Sequence, residues 1–213
     1  MIAKLKAVCA WPVLVLLCLA PEAHAARVVS VHVRRAGRQI LIRMHITVDA
    51  PPRAVFQALQ DYAALPRYEP VIRALQVVPT AQPNRVRLYA TIHACVLFFC
   101  KTMRQEQIMT ATARADGGVV RSRLVPRGSD FRRGHGRWTV EPCPRGGAPA
   151  CLSVRLAMVP SFWVPPLIGP WIIRRKVYEE ARRASVGLER IARKRPAHHA
   201  ALRGARRFRA VRY

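Results

Sequence analysis

Few side chains in this sequence could do chemistry, and most of them stand apart. His32, His45, His93 and His135 fall in four different extended segments. Each reads as a surface or half-buried polar residue rather than a general base, which needs hydrogen-bond reach to the proton it takes. Glu106 and Asp130 could sit at the rim of a cavity beside an arginine, or simply be solvated. No nucleophile elbow, zinc-binding helix motif or phosphate loop occurs. The polar candidates of most interest are Gln105 and Gln107, because they alternate with Met103 and Met109 in one extended run. If that face looks inward, their amides would orient a ligand carbonyl or hydroxyl, since buried amides need partners. No residue is assigned a catalytic role, and no cofactor is expected.

The cysteines form two close pairs beyond the N-terminal region. Cys143 and Cys151 bracket the turn-rich "PRGGAP", and Cys95 and Cys100 bracket "VLFF". Both pairs suit disulfides across hairpins in an oxidising compartment. For Cys95 and Cys100, free thiols or a metal site with His93 are the other possibilities. No further ligand pair with recognisable spacing completes a tetrahedral shell, so no metal is expected.

The elements that must position these residues follow from hydropathy period. "RVVSVHVRR" and "RQILIRMHITVD" read as strands joined at Ala36-Gly37. Ala50–Leu65 reads as a helix capped by Asp49, burying Val55, Phe56, Leu59 and Tyr62. Strands are predicted over Val71–Val78, Arg85–Ala94, Lys101–Ala113, Val119–Val125, Phe131–Glu141 and Cys151–Val159, with turn residues between several of them. Ile173, Val177, Ala181, Ala184, Leu188 and Ile191 mark one long amphipathic helix, with Glu179, Glu180, Arg182, Arg183 and Glu189 on its wet side. This order implies an α+β fold: a curved antiparallel sheet wrapped around a C-terminal helix, with a cavity between them. In "RRGHGRWTVE", Gly134, Gly136, Trp138 and Val140 share one face. The glycines either make room for something bulky or serve a bend or tight packing. Trp138 and Leu156 join Met103, Gln105 and Gln107 as expected ligand-binding residues.

"ITVDAPPRAVFQALQDYAALPRYEPVIRALQVV" resembles the opening of the START-like, polyketide-cyclase and coenzyme-Q-binding superfamily, the helix-grip fold. The matching positions are Ile46, Ala50, Val55 and Phe56, then Asp61, Tyr62, Leu65, Pro66, Tyr68 and Pro70. The resemblance covers roughly residues 38–192 and implies one domain holding a lipid, quinone or polyketide-like molecule. It carries no catalytic residues across. An aromatase, cyclase or hydrolase using the same cavity, with Gln105, His93 or Asp130 in its chemistry, is the alternative. A basic membrane-surface interaction protein is a third.

Compartment and charge frame the ends of the chain. Lys4 and Lys6, an apolar run from Ala7 to Ala20, and Ala23-His24-Ala25 have the layout of a secretory signal peptide cleaved near Ala25. The expected protein is then a domain over residues 26–192 and a flexible basic tail over 193–213, periplasmic or secreted. Its net charge of +26 falls to +25 on losing Lys4, Lys6 and Glu22. Export argues against a nucleic-acid partner, whereas anionic lipid head groups suit such a charge. "PSFWVPPLIGPWIIRRK", residues 160–176, is too short and too rich in proline to span a bilayer. It is expected to form an apolar lip at one mouth of the cavity, with Trp163 and Trp171 touching ligand or membrane and Arg174, Arg175 and Lys176 facing lipid phosphates. In the rival reading the tryptophans plug the end of the core.

Overall fold

The computed structural model describes residues 26–96, 98–144, 148–165 and 168–208, with residues 195–208 as backbone alone. The expected signal peptide, residues 1–25, and Pro166 and Leu167 of the apolar lip lie outside the described residues. Eight strands form one antiparallel sheet: β1 Arg27–Ala36, β2 Gln39–Val48, β3 Ile72–Pro79, β4 Arg85–Val96, β5 Phe99–Arg114, β6 Gly117–Leu124, β7 Phe131–Pro142 and β8 Ala150–Pro160. Their spatial order is β1-β2-β8-β7-β6-β5-β4-β3, so the chain crosses from one half of the sheet to the other between β2 and β3. Helix α1, Pro52–Ala58, and a 3-10 segment, Tyr62–Arg67, make that crossing. Helix α2, Pro170–Phe208, closes the described chain. This is the α+β helix-grip architecture that the element order implies.

Turn chemistry agrees with the backbone where it is demanding. Gly37 has φ 58° in the β1–β2 turn, a conformation L side chains rarely adopt. Gly117, at φ 129°, opens β6, where an added Cβ would strike the Val140 carbonyl.

Alternation then fixes two faces. The concave face of the sheet carries Val28, Val31, Ile46, Val48, Met109, Val120, Val140 and Val154, all buried with Val55, Phe56, Tyr62 and the α2 residues Ala181, Leu188 and Ala192. Helices α1 and α2 also pack on each other. Among the described residues no helix is long and apolar enough to cross a membrane.

The first helix departs from expectation. It is seven residues long, its N-cap is Pro51, and no side chain caps it. Asp49 instead pairs with Arg193, while its N–H donates to Glu189 Oε2 at 3.3 Å, tying the end of β2 to α2. After Ala58 the bonds tighten to i→i−3, with Gln60 N–H donating to Gln57 O and Asp61 N–H to Ala58 O. The continuation is therefore 3-10, with Pro66 inside it removing one backbone donor. Two carboxylates assigned to the wet face of α2 are also held. Glu189 is buried against Asp49 and Arg193, and Glu180 pairs with Lys176 at 2.8 Å. Helical backbone continues past Ala192 to Phe208.

Candidate functional site

The concave face differs along its length, and register shows how. Rows near the end of β2 are sealed. Gly118 on β6 meets the Phe56 ring, so closely that an added Cβ would lie 2.5 Å from a ring carbon. On α2, Gly187 receives Tyr68 in the same manner, fixing the chain after the 3-10 segment against the helix. Val48, Val55 and Ala58 have no exposed surface there.

Toward the opposite end the same face opens. In β5, alternation runs unbroken from Ala111 and Met109, both in the core, to Gln107, Gln105 and Met103. These three oppose Leu88, Ala90 and Ile92 of β4. Trp138 opposes Val154, and Leu156 opposes Gly136, on strands β7 and β8. Met103, Gln105, Gln107, Trp138, Leu156, Ala90 and Ile92 are all half-buried rather than sealed. The structure thus brings the five sheet residues expected from sequence onto one concave surface.

The glycines of β7 have a different role from a ligand recess. The Trp138 ring lies across Gly136, where an added Cβ would come 2.6 Å from the indole and 2.7 Å from Ser122 Oγ. Gly134 faces Leu124 and the Ala157 carbonyl. The bulky occupant is the protein's own tryptophan, which forms part of the floor.

Trp163 and Trp171 sit where β8 ends and α2 begins, and they are 69% and 68% exposed. They do not plug the core. Phe162 fills that place, edge-on to Phe131 at 6.1 Å, with Lys101 Nζ 5.4 Å above its ring. The Lys101 contact joins the segment after β8 to the β4–β5 hairpin, whose tip carries Phe98, 80% exposed. Exposed aromatics therefore gather at the open end. Of the three cations that follow, Lys176 is tied to Glu180 and Arg175 pairs with Glu179 at 3.4 Å, whereas Arg174 is exposed.

The titratable candidates for catalysis do not line this surface. His93 and Glu106 alternate with Ile92 and Gln105 and so lie on the convex face. Glu106 pairs there with Arg87 at 3.1 Å. Asp130 Oδ2 accepts the Arg104 N–H at 2.6 Å, stapling the β6–β7 connection to β5. His32, His45 and His135 are exposed on the convex side, with His45 Nδ1 3.2 Å from Ser153 Oγ. Both cysteine pairs are disulfides, Cys95–Cys100 and Cys143–Cys151. His93, Cys95 and Cys100 stand within 4.8 Å of one another, yet the sulfurs are bonded together and offer no thiolate to a metal.

Two features escaped the sequence. One is a groove of about 320 Å³ near the sealed end, lined by Gln60, Asp61, Tyr62, Val77, Asn84 and Ala111. Burial pushes the Tyr62 phenol up to about 12, so it stays a neutral donor. The other is Glu69, whose carboxyl is raised to about 7, first by burial and then by the charge of Glu180, with Arg183 opposing. No local pattern signals either one, because both arise where the α1–β3 connection meets distant strands or α2.

A concave antiparallel sheet gripping a C-terminal helix, with one end of the grip open and apolar, defines the START-like class. The sequence matches the family described as "Polyketide cyclase / dehydrase and lipid transport" over residues 39–193, and the chain belongs to that family. No curated protein matches it in sequence. Among solved structures, it is similar to a STAR-related lipid transfer protein from Xanthomonas axonopodis, at 18% identity and TM-score 0.58, covering 80% of this chain and 99% of that one. The Zhui aromatase/cyclase from a Streptomyces species is similar at 11% identity and TM-score 0.56, covering 74% and 95%. Human STARD10 is similar at 14% identity and TM-score 0.54, covering 84% and 78%. At such identities the likeness is one of fold.

Proposed function

We propose that this chain is an exported carrier or sensor that holds one lipid, quinone or polyketide-like molecule against the open half of its concave face, without catalysing a reaction. The observation that carries this reading is the half-buried surface that Ala90, Ile92, Met103, Gln105, Gln107, Trp138 and Leu156 form on the concave face. Apolar side chains supply most of the contact, and the two glutamine amides orient a carbonyl or hydroxyl on the ligand. Trp163 and Trp171 form a lip at the mouth, with Arg174 placed to meet a lipid phosphate as the ligand enters or leaves. The family match supports the substrate class, and two disulfides suit an oxidising compartment. The polar groups an enzyme would recruit are engaged elsewhere, with His93 and Glu106 on the outside and Asp130 holding Arg104. Of that set, Gln105 alone faces the proposed ligand.

Organic-solvent extraction of the purified protein, followed by mass spectrometry, tests this directly. A single class of apolar molecule should be recovered in near-stoichiometric amount. An extract with no such molecule, from protein that also fails to take up added lipid or quinone, would refute the carrier reading.

A further inference from the structure

The convex face carries a row of arginines that no pairing within the described chain explains. Arg43 on β2 opposes Arg155 on β8, Arg155 opposes Arg137 on β7, and Arg137 opposes Arg121 on β6. Four guanidinium-bearing residues thus stand side by side across four adjacent strands, and all four are exposed. His32 extends the row on β1, opposite Arg43. Strands lie about 4.8 Å apart, so the four arginines span about 14 Å in a straight line.

Like charges directly opposed across strands destabilise a sheet. Elsewhere this chain neutralises its arginines where carboxylates are near: Arg87 with Glu106, Arg175 with Glu179, Arg193 with Asp49 and Glu189. Among the described residues no carboxylate pairs with Arg43, Arg121, Arg137 or Arg155. The one side-chain bond among them is a long one from Arg137 Nε to Thr139 Oγ1, at 3.4 Å. Arginine abundance alone would scatter charge over the surface, whereas this row occupies a single register.

We propose that the Arg43–Arg155–Arg137–Arg121 row is a binding track for a linear polyanion carrying phosphate or sulfate groups. A guanidinium binds such oxyanions in two-pronged fashion, and a row of them fits a chain of successive anionic groups. The shape of the patch favours a chain over a bilayer. Of the eight positions two residues along the strands, seven are uncharged or histidine (Leu41, His45, Ser153, Ala157, His135, Thr139, Val119) and only Arg123, beside Arg121, adds a charge, so the track is one arginine wide except at its β6 end. The exposed tryptophans that would anchor a membrane lie at the end of the sheet instead. Ligand held on the concave face and polyanion held on the convex face would occupy opposite sides of the same strands.

Heparin serves as the probe, and charge-matched variants separate a track from bulk positive charge. Arg121→Ser/Arg137→Ser/Arg155→Ser in the full chain should weaken heparin binding by roughly tenfold or more and flatten its salt dependence. Arg182→Ser/Arg183→Ser/Arg190→Ser, which removes the same charge from α2, should change it by less than about threefold. A second readout is thermal. Without heparin at low salt, the track variant should melt above the wild type because repulsion is relieved, and heparin should raise the wild-type midpoint more than the variant's. Equal losses in the two triple variants would overturn the proposal. So would tighter binding of the wild type to phosphatidylglycerol vesicles than to heparin, with the same dependence on the track.

Discussion

The two ends of the concave face are built from the same strands, yet packing treats them oppositely. At the end near Val48 and Gly118, small residues are spent on contact: Phe56 sits on Gly118, Tyr68 sits on Gly187, and the surrounding aliphatics are fully buried. At the end near Met103 and Gln105, the same face is only half-buried. Amides replace aliphatics, and aromatics project into solvent. One end holds the fold together. The other is free to hold something else.

That contrast breaks most visibly by damaging the sealed end. Phe56→Ala should cost about 3–5 kcal/mol in denaturant unfolding, through lost burial and the cavity left against Gly118. Gly118→Val should cost about 1–3 kcal/mol, because the ring has no room to retreat from a strand backbone. Gly187→Ala is the sharper case. Alanine gains about 1 kcal/mol in helix propensity, but its methyl would overlap Tyr68 Cβ, an atom too near its own backbone to swing away. A net loss of stability is expected, and a net gain would show that the Tyr68 contact is loose.

Between the ends lies Glu69, and its effect depends on pH. Its carboxyl is raised in the folded state from 4.5 to about 7, so across that window the folded chain keeps a proton that the unfolded chain has released. Its contribution to stability is therefore fully present below the unfolded value and is lost as pH rises toward the folded one. Glu69→Gln should flatten the fall in stability between pH 5 and pH 7 and make the protein relatively more stable at pH 7.5. An unchanged pH profile of the melting midpoint would contradict the burial assigned to this carboxyl. The smallest effect on stability belongs to the open end. Trp163→Ala/Trp171→Ala should alter unfolding free energy by less than about 1 kcal/mol, given their exposure, while weakening uptake of ligand from vesicles.

Alternation made much of this readable from sequence. Which residues of β5, β7 and β8 share a face follows from period two, and no bulge interrupts β5, so Met103, Gln105 and Gln107 share one face, while only strand pairing places that face on the concave side. The order of elements along the chain and the long last helix followed from the same periods. What sequence could not reveal depends on partners distant along the chain. At Gly136 the sequence left a ligand recess and tight packing both open, and the Trp138 ring folded across it decides for packing. Asp49 looked like a helix cap, but Arg193 and Glu189, far along the chain, compete for it. Glu180 and Glu189 looked wet because helical period places charges without saying what packs beside them. The arginine row was present as scattered residues, and strand pairing alone makes it a line.

The central claim is that the open half of the concave face is the ligand site. Ala90, half-buried opposite Gln105, gives the most direct test. Replacing it with tryptophan fills the open surface without touching the sealed core or the convex row. Titration with a fluorescent long-chain acyl probe should give one site per wild-type chain and at least tenfold weaker binding to Ala90→Trp, with the unfolding midpoint little changed. Equal binding by the two proteins would place the ligand elsewhere and contradict the claim.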